Sequence, residues 1–291
     1  MLKRLILGYL FLLSTVQAFA CGNGRTFKVA EATISLSNGA VIALKHSGRI
    51  VPYGCQFVTA TIKREIPVMY EQWKKTQDLA YLSDYALLLA FTKEYEKARD
   101  TYLYIESIAP DQYSTAANLG TVYELLGDNR QALSWIRKAV RIDPASHMGS
   151  EWLHVKILEA KLQGKSAVNS KFLLNTSFGT DVLPHTSLSK AQLLKLRDAL
   201  FYQLNERVSF IQPQETIVAQ LLFDLANVAY LTGAKSESKF IYTEAQEYGY
   251  SNPLLAKRLA ALSKAGVRSL SAPARLVSPS SAPPPPPPSP E

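Results

Sequence analysis

From Leu82 to Pro144, apolar and small residues recur at helical spacing, and they do so twice in one register. In the second stretch Leu119, Tyr123, Ile136 and Ala139 form an apolar stripe, while Gly120 and Ala132 are small enough to let two antiparallel helices approach closely. Gly127, Asp128 and Asn129 break the chain between them, and either polar residue can cap the following helix by accepting from its free amides. That helix ends in Arg137, Lys138 and Arg141, cations suited to the negative end of its dipole, and Pro144 closes it. The earlier stretch repeats the pattern at Leu82, Ala86, Leu89, Ala98, Tyr102, Ile105 and Pro110, with Lys93 in place of the turn glycine. Ala98 and Ala132 are 34 residues apart, as are Pro110 and Pro144.

Asn118, Leu119, Gly120, Tyr123, Gly127, Ala132, Ile136, Ala139 and Pro144 stand where the tetratricopeptide repeat (TPR) pattern has its small, aromatic and turn residues, and the middle of the chain resembles a TPR array. The expected fold is all-α, a TPR-like helix-pair solenoid with a small amino-terminal β-containing segment and a disordered Pro-rich tail. Four helix pairs are expected: 78–110, 112–144, an interrupted third, and a fourth at 214–249, where Leu222, Ala226, Ala229, Gly233, Tyr242 and Ala245 fit but Ser238 and Tyr250 replace the usual alanine and proline. The third pair begins with a helix near 149–162 and is interrupted by an insertion at about 164–188 without clear periodicity, before a helix at about 189–209. That insertion reads either as a functional loop or as an ordered excursion covering one side of the solenoid. A short helix at about 253–263 would cap the array.

The two ends bear on compartment. Residues 1–20 have the form of an export signal, with Lys3 and Arg4, an apolar run from Leu5 to Leu13, and Ala18-Phe19-Ala20 as a small-x-small cleavage site. The run is too short to span a bilayer. Its removal takes two positive charges from a formal net charge of +8. That modest surplus, interleaved with acidic residues and without an arginine-rich run, does not point to nucleic acid. Cys21 and Cys55, the chain's two cysteines, suit a disulfide in an oxidising compartment. The competing reading makes Cys21 a lipidated first residue, but Phe19 is bulky where a lipoprotein signal carries a small residue. Residues 21–64 should form a few short strands, with Asn38-Gly39 and His46-Ser47-Gly48 as turns. The helical array is expected over 65–265 and a disordered tail over 266–291, where Pro283–Pro288 forms an unbroken proline run.

Resemblance to TPR proteins implies a binding scaffold without enzymatic activity or cofactor, whose first helices line a concave groove for a protein or peptide partner. Carried over by register, the candidate partner-binding residues are Asn118, Thr121, Glu124, Glu151, Trp152, Asp224 and Asn227, with Asp84, Leu87, Val155 and Tyr230 nearby. The groove lacks the Lys and Arg that TPR domains present to acidic carboxyl termini. An alternative is a metal-binding or hydrolytic site of His147, Glu151 and His154, spaced i, i+4 and i+7, with His185 from the insertion. Against it, i and i+7 lie about 10 Å apart along a helix axis. A third reading is an envelope assembly factor that self-associates. If the exported chain carries a Cys21–Cys55 disulfide, intact-mass measurement before and after reduction should differ by two hydrogens, whereas acyl mass on Cys21 would replace the disulfide with a lipid anchor.

Overall fold

The computed structural model describes residues 41–43, 51–52, 54–57 and 59–270. The expected signal, Cys21 and the proline tail lie outside them. Two short strands, β1 (Val41–Ala43) and β2 (Cys55–Phe57), pair antiparallel with Val41 opposite Phe57 and Ala43 opposite Cys55. Twelve helices follow among the described residues: α1 (Thr59–Thr76), α2 (Leu79–Phe91), α3 (Tyr95–Ile108), α4 (Tyr113–Leu125), α5 (Asn129–Ile142), the single turn α6 (Ser146–Gly149), α7 (Glu151–Gln163), α8 (Ser170–Leu174), α9 (Lys190–Phe210), α10 (Thr216–Leu231), α11 (Lys235–Glu247) and α12 (Pro253–Lys264). The architecture is an all-α solenoid of helix pairs. Helix begins at Thr59, a few residues before the apolar periodicity predicts it.

The local chemistry explains the boundaries. Asp78 caps α2 by accepting from the Ala80 amide, and Asp128 caps α5 by accepting from the Gln131 amide. Between the helices of each regular pair the chain takes a positive φ, 86° at Gly127, 94° at Gly233 and 67° at Lys93. Lys93 therefore holds the left-handed turn without a glycine, at a cost of about 1–2 kcal/mol. Ser238, at a position that is usually alanine, is fully buried and donates its hydroxyl to the Ala226 carbonyl at 2.8 Å, so the extra oxygen is satisfied. Tyr250 stacks on Phe223 with ring centroids 4.2 Å apart.

The insertion is an ordered excursion. A 3₁₀ turn (Lys165–Ala167) and α8 bury Ala167, Leu173 and Leu174, and Phe178 follows them into the core shared by α7, α9 and α10. Arg258 on α12, buried and far along the chain, donates to the carbonyls of Phe178, Gly179 and Asp181 and so fastens the irregular stretch. At the other end Phe91 of α2 meets Phe210 of α9 at 5.7 Å between ring centroids, and the Gly54 amide donates to Asn205 of α9. The end of α2 thus meets the end of α9.

Close packing leaves no room for a side chain where α4 crosses α5. A Cβ built on Gly120 would stand 2.5 Å from Ile136 Cδ1 and 3.2 Å from the Ile136 amide nitrogen. Gly120→Ala should therefore lower stability despite its gain in helix propensity, by about 1–3 kcal/mol, and Gly120→Leu by more; chemical denaturation with unchanged m-value checks both.

Candidate functional site

Residues of α2, α3, α4, α6, α7 and α9 line one cavity of about 260 Å³. Its apolar wall comes from Leu87 and Ala90 on α2, Val122 and Leu125 on α4, and Phe210 and Ile211 at the end of α9. Its polar floor comes from Glu124, His147, Glu151, His154, Lys161 and Arg207. The α4 face reaches it because Asn118, Thr121, Val122 and Leu125 lie three or four residues apart on one side of the helix.

Glu124 is the centre of the floor. Its side chain, 6 % exposed, accepts a bidentate pair from Arg207 at 2.8 and 3.2 Å, lies 2.7 Å from His154 Nε2, and pairs with Lys161 Nζ at 2.6 Å. Burial alone would raise its pKa, but Arg207, then His154 and Lys161, hold it well below the ordinary carboxylate value. Glu151 is bonded to His147 Nδ1, accepts from the Tyr113 hydroxyl at 3.4 Å, and lies 3.7 Å from His154 Nδ1. Burial opposes its ionisation too, and the two imidazoles outweigh that and depress it. For both histidines burial favours the neutral ring, yet the carboxylate each faces raises the pKa above the usual value.

His147 does not sit on a continuous helix with Glu151 and His154, as the i, i+4, i+7 spacing supposes. It and Met148 take left-handed dihedrals, φ 48° and 56°, so the chain reverses just before α7. That strain is offset by what the turn places: the His147 ring stacks on Tyr202 at 4.8 Å and meets Tyr113 edge-on at 5.8 Å while bonding Glu151. The three residues do come together, but each imidazole is directed at a carboxylate. Among the described residues no group of three or more His, Cys, Asp or Glu is arranged to hold a metal ion, and the metal reading is not favoured. His185 pairs with Asp181 at the surface, 3.2 Å away, and does not line the cavity.

The register-based candidates divide. Asn118, Thr121, Glu124 and Glu151 line the cavity, as does Leu87. Trp152 does not; it stands 39 % exposed on α7. Asp224 and Asn227 are completely buried under the insertion rather than open to a groove. Asp224 accepts from Ser170 at 2.7 Å and Gln220 at 3.1 Å, and burial pushes its pKa up to about 7. Asn227 accepts from Tyr242 and Arg258. In the fourth pair α8 and the following loop cover the face that carries Asp224 and Asn227.

Residues 113–146 match the family model for the tetratricopeptide repeat. The chain carries a tetratricopeptide repeat at these residues. No curated protein matches it. The TPR match spans α4 and α5 and ends at Ser146, so of the floor residues it includes Glu124 alone. The rest of the floor, His147, Glu151, His154, Lys161 and Arg207, falls outside the TPR match. The signal for Arg207 is a charge within the apolar row Leu200, Leu204, Arg207, Ile211; a cation there requires a buried partner. Among the described residues no helix is long and apolar enough to cross a membrane.

The cluster gives a two-sided pH dependence. Glu124 and Glu151 have depressed pKa values, so their contribution is present above the unfolded value near 4.5 and is lost as pH falls. His147 and His154 have raised values, so theirs is present below the unfolded value near 6.5 and is lost as pH rises through the folded pKa. The stability difference between wild type and His154→Gln should peak between about pH 4.5 and 6.5 and shrink on either side, read from melting temperatures across pH 3–9. Glu124→Gln, which leaves Arg207 buried with a weaker partner, should cost several kcal/mol, roughly 3–5.

Proposed function

We propose that this protein-interaction scaffold grips an extended segment of a partner protein in the cavity between α2, α4, α7 and α9. The observation that carries the reading is a cavity that combines an apolar wall, from Leu87, Ala90, Val122 and Leu125, with a floor of charged groups, Glu124, Glu151 and Arg207. The wall can take an apolar side chain of the segment while polar groups of the lining meet its backbone. At about 260 Å³ the cavity is smaller than the roughly 300–1,000 Å³ that encloses a drug-sized ligand, which favours one or two apolar side chains of a segment over a whole cofactor. Asn118 and Thr121 flank this space from α4. In this reading the protein acts outside the cytoplasm, in the periplasm or secreted, on the strength of the export-type sequence at 1–20.

Peptides selected by display against the chain test the proposal. Thr121→Trp, which fills the cavity from the exposed side of α4, and Leu125→Arg, which places a charge in its wall, should each weaken capture at least about tenfold, a change of about 1.4 kcal/mol. Trp152→Ala, outside the wall, should retain it. Undiminished capture by both cavity variants with helical content intact would place the partner elsewhere.

A further inference from the structure

A second surface lies on the first repeat, away from the cavity. Four aromatic rings run in series across α1, α2 and α3: Tyr85 to Tyr70 at 5.1 Å between centroids, Tyr70 to Trp73 at 5.4 Å, and Trp73 to Tyr104 at 6.1 Å. None of the four lines the cavity. Tyr70 and Tyr104 are 37 % and 48 % exposed, and Val68, Leu103 and Ile108 add exposed apolar surface on the same two helices, α1 and α3. Trp73 and Tyr85 pack with one side on the core of the first repeat, and Tyr70 and Tyr104 extend the row to the surface, where clustered exposed rings favour an interaction.

The chain itself carries a segment of matching chemistry. Pro283–Pro288 is an uninterrupted proline run, and between 271 and 291 the only charged residues are Arg275 and Glu291. Such a run is preformed as a polyproline helix, so docking it costs little conformational entropy, and having no N–H groups it buries no unsatisfied donor. At about 3.1 Å per residue six prolines extend about 19 Å, comparable with the three centroid spacings of the ring series. Aromatic rows are the usual complement of such helices, because proline rings pack against ring faces.

The tail can reach. Val267 is tied to the start of α11 through Lys239, 2.8 Å away, and α11 runs back to Tyr248, whose hydroxyl donates to the Ile211 carbonyl beside Phe210. Phe210 touches Phe91, and Tyr85 lies six residues, about 9 Å, back along α2. That route combines helix stretches of about 13 Å and 9 Å with a few side-chain contacts. The chain from Val267 to Pro283 extends up to about 53 Å.

We propose that Pro283–Pro288 docks intramolecularly on the row Tyr85, Tyr70, Trp73 and Tyr104, covering the first repeat with the chain's own tail. The indole N–H of Trp73 reports on it directly by NMR, with Trp135 and Trp152 as internal references. Replacing all six prolines by serine in the whole chain should shift the Trp73 signal and leave the other two in place. Adding an acetylated hexaproline peptide to that variant should move Trp73 back toward its wild-type position, and Tyr70→Ala with Tyr104→Ala should abolish the response. An unchanged Trp73 signal in the serine variant overturns the proposal. A wild-type signal that moves to the variant position on tenfold dilution overturns it as well, by assigning the row to the tail of a second copy.

Discussion

Glu124 and Arg207 lie 83 residues apart and meet in a bidentate pair with both side chains almost entirely buried. Taking two charges out of water costs several kcal/mol each, and their mutual attraction offsets this only where geometry is good and further hydrogen bonds are present. Here His154 and Lys161 supply those bonds on the same carboxylate. Such a pair adds little over an apolar contact of similar volume, but it specifies one arrangement, because any other docking of α9 leaves a buried ion without its counterion. The position of α9 across the concave side follows from it, and with α9 the cavity.

The strained turn at His147 belongs to the same logic. A left-handed histidine followed by a left-handed methionine is unfavourable in isolation, and Met148 is itself 73 % exposed, so it contributes no burial in return. The compensation is on the His147 side chain, held between Tyr113, Tyr202 and Glu151. These contacts come from α4, α9 and α7, so the turn is stable only once the three helices are assembled.

A second buried arginine shows the opposite use of the same device. Arg258 bonds Asn227 and three loop carbonyls and faces the Phe223 ring at 5.3 Å, turning an irregular excursion into a fixed cover. The backbone carbonyls of a stretch without regular structure must find donors if they are buried, and one guanidinium supplies several. The two networks divide the inner face of the solenoid: the charged cluster leaves space in front of the second and third pairs, while the arginine clamp closes the fourth.

The helix pairs were legible in the sequence because their determinants are local and periodic. Gly120 against Ile136, Ala98 and Ala132 at matching positions, Asp128 as a cap and Gly127 at positive φ all act within one 34-residue unit, so spacing alone reveals them. Of the residues chosen by register, Asn118, Thr121, Glu124 and Glu151 line the cavity and Trp152, Asp224 and Asn227 do not. Register could not say what packs against these residues. Arg207, Lys161 and Phe210 join the cavity through contacts spanning many tens of residues, and Asp224 and Asn227 are removed from it by the insertion, whose sequence has no period to read. Whether an inward residue meets solvent, a partner or its own chain depends on long-range closure, and only the tertiary structure decides that.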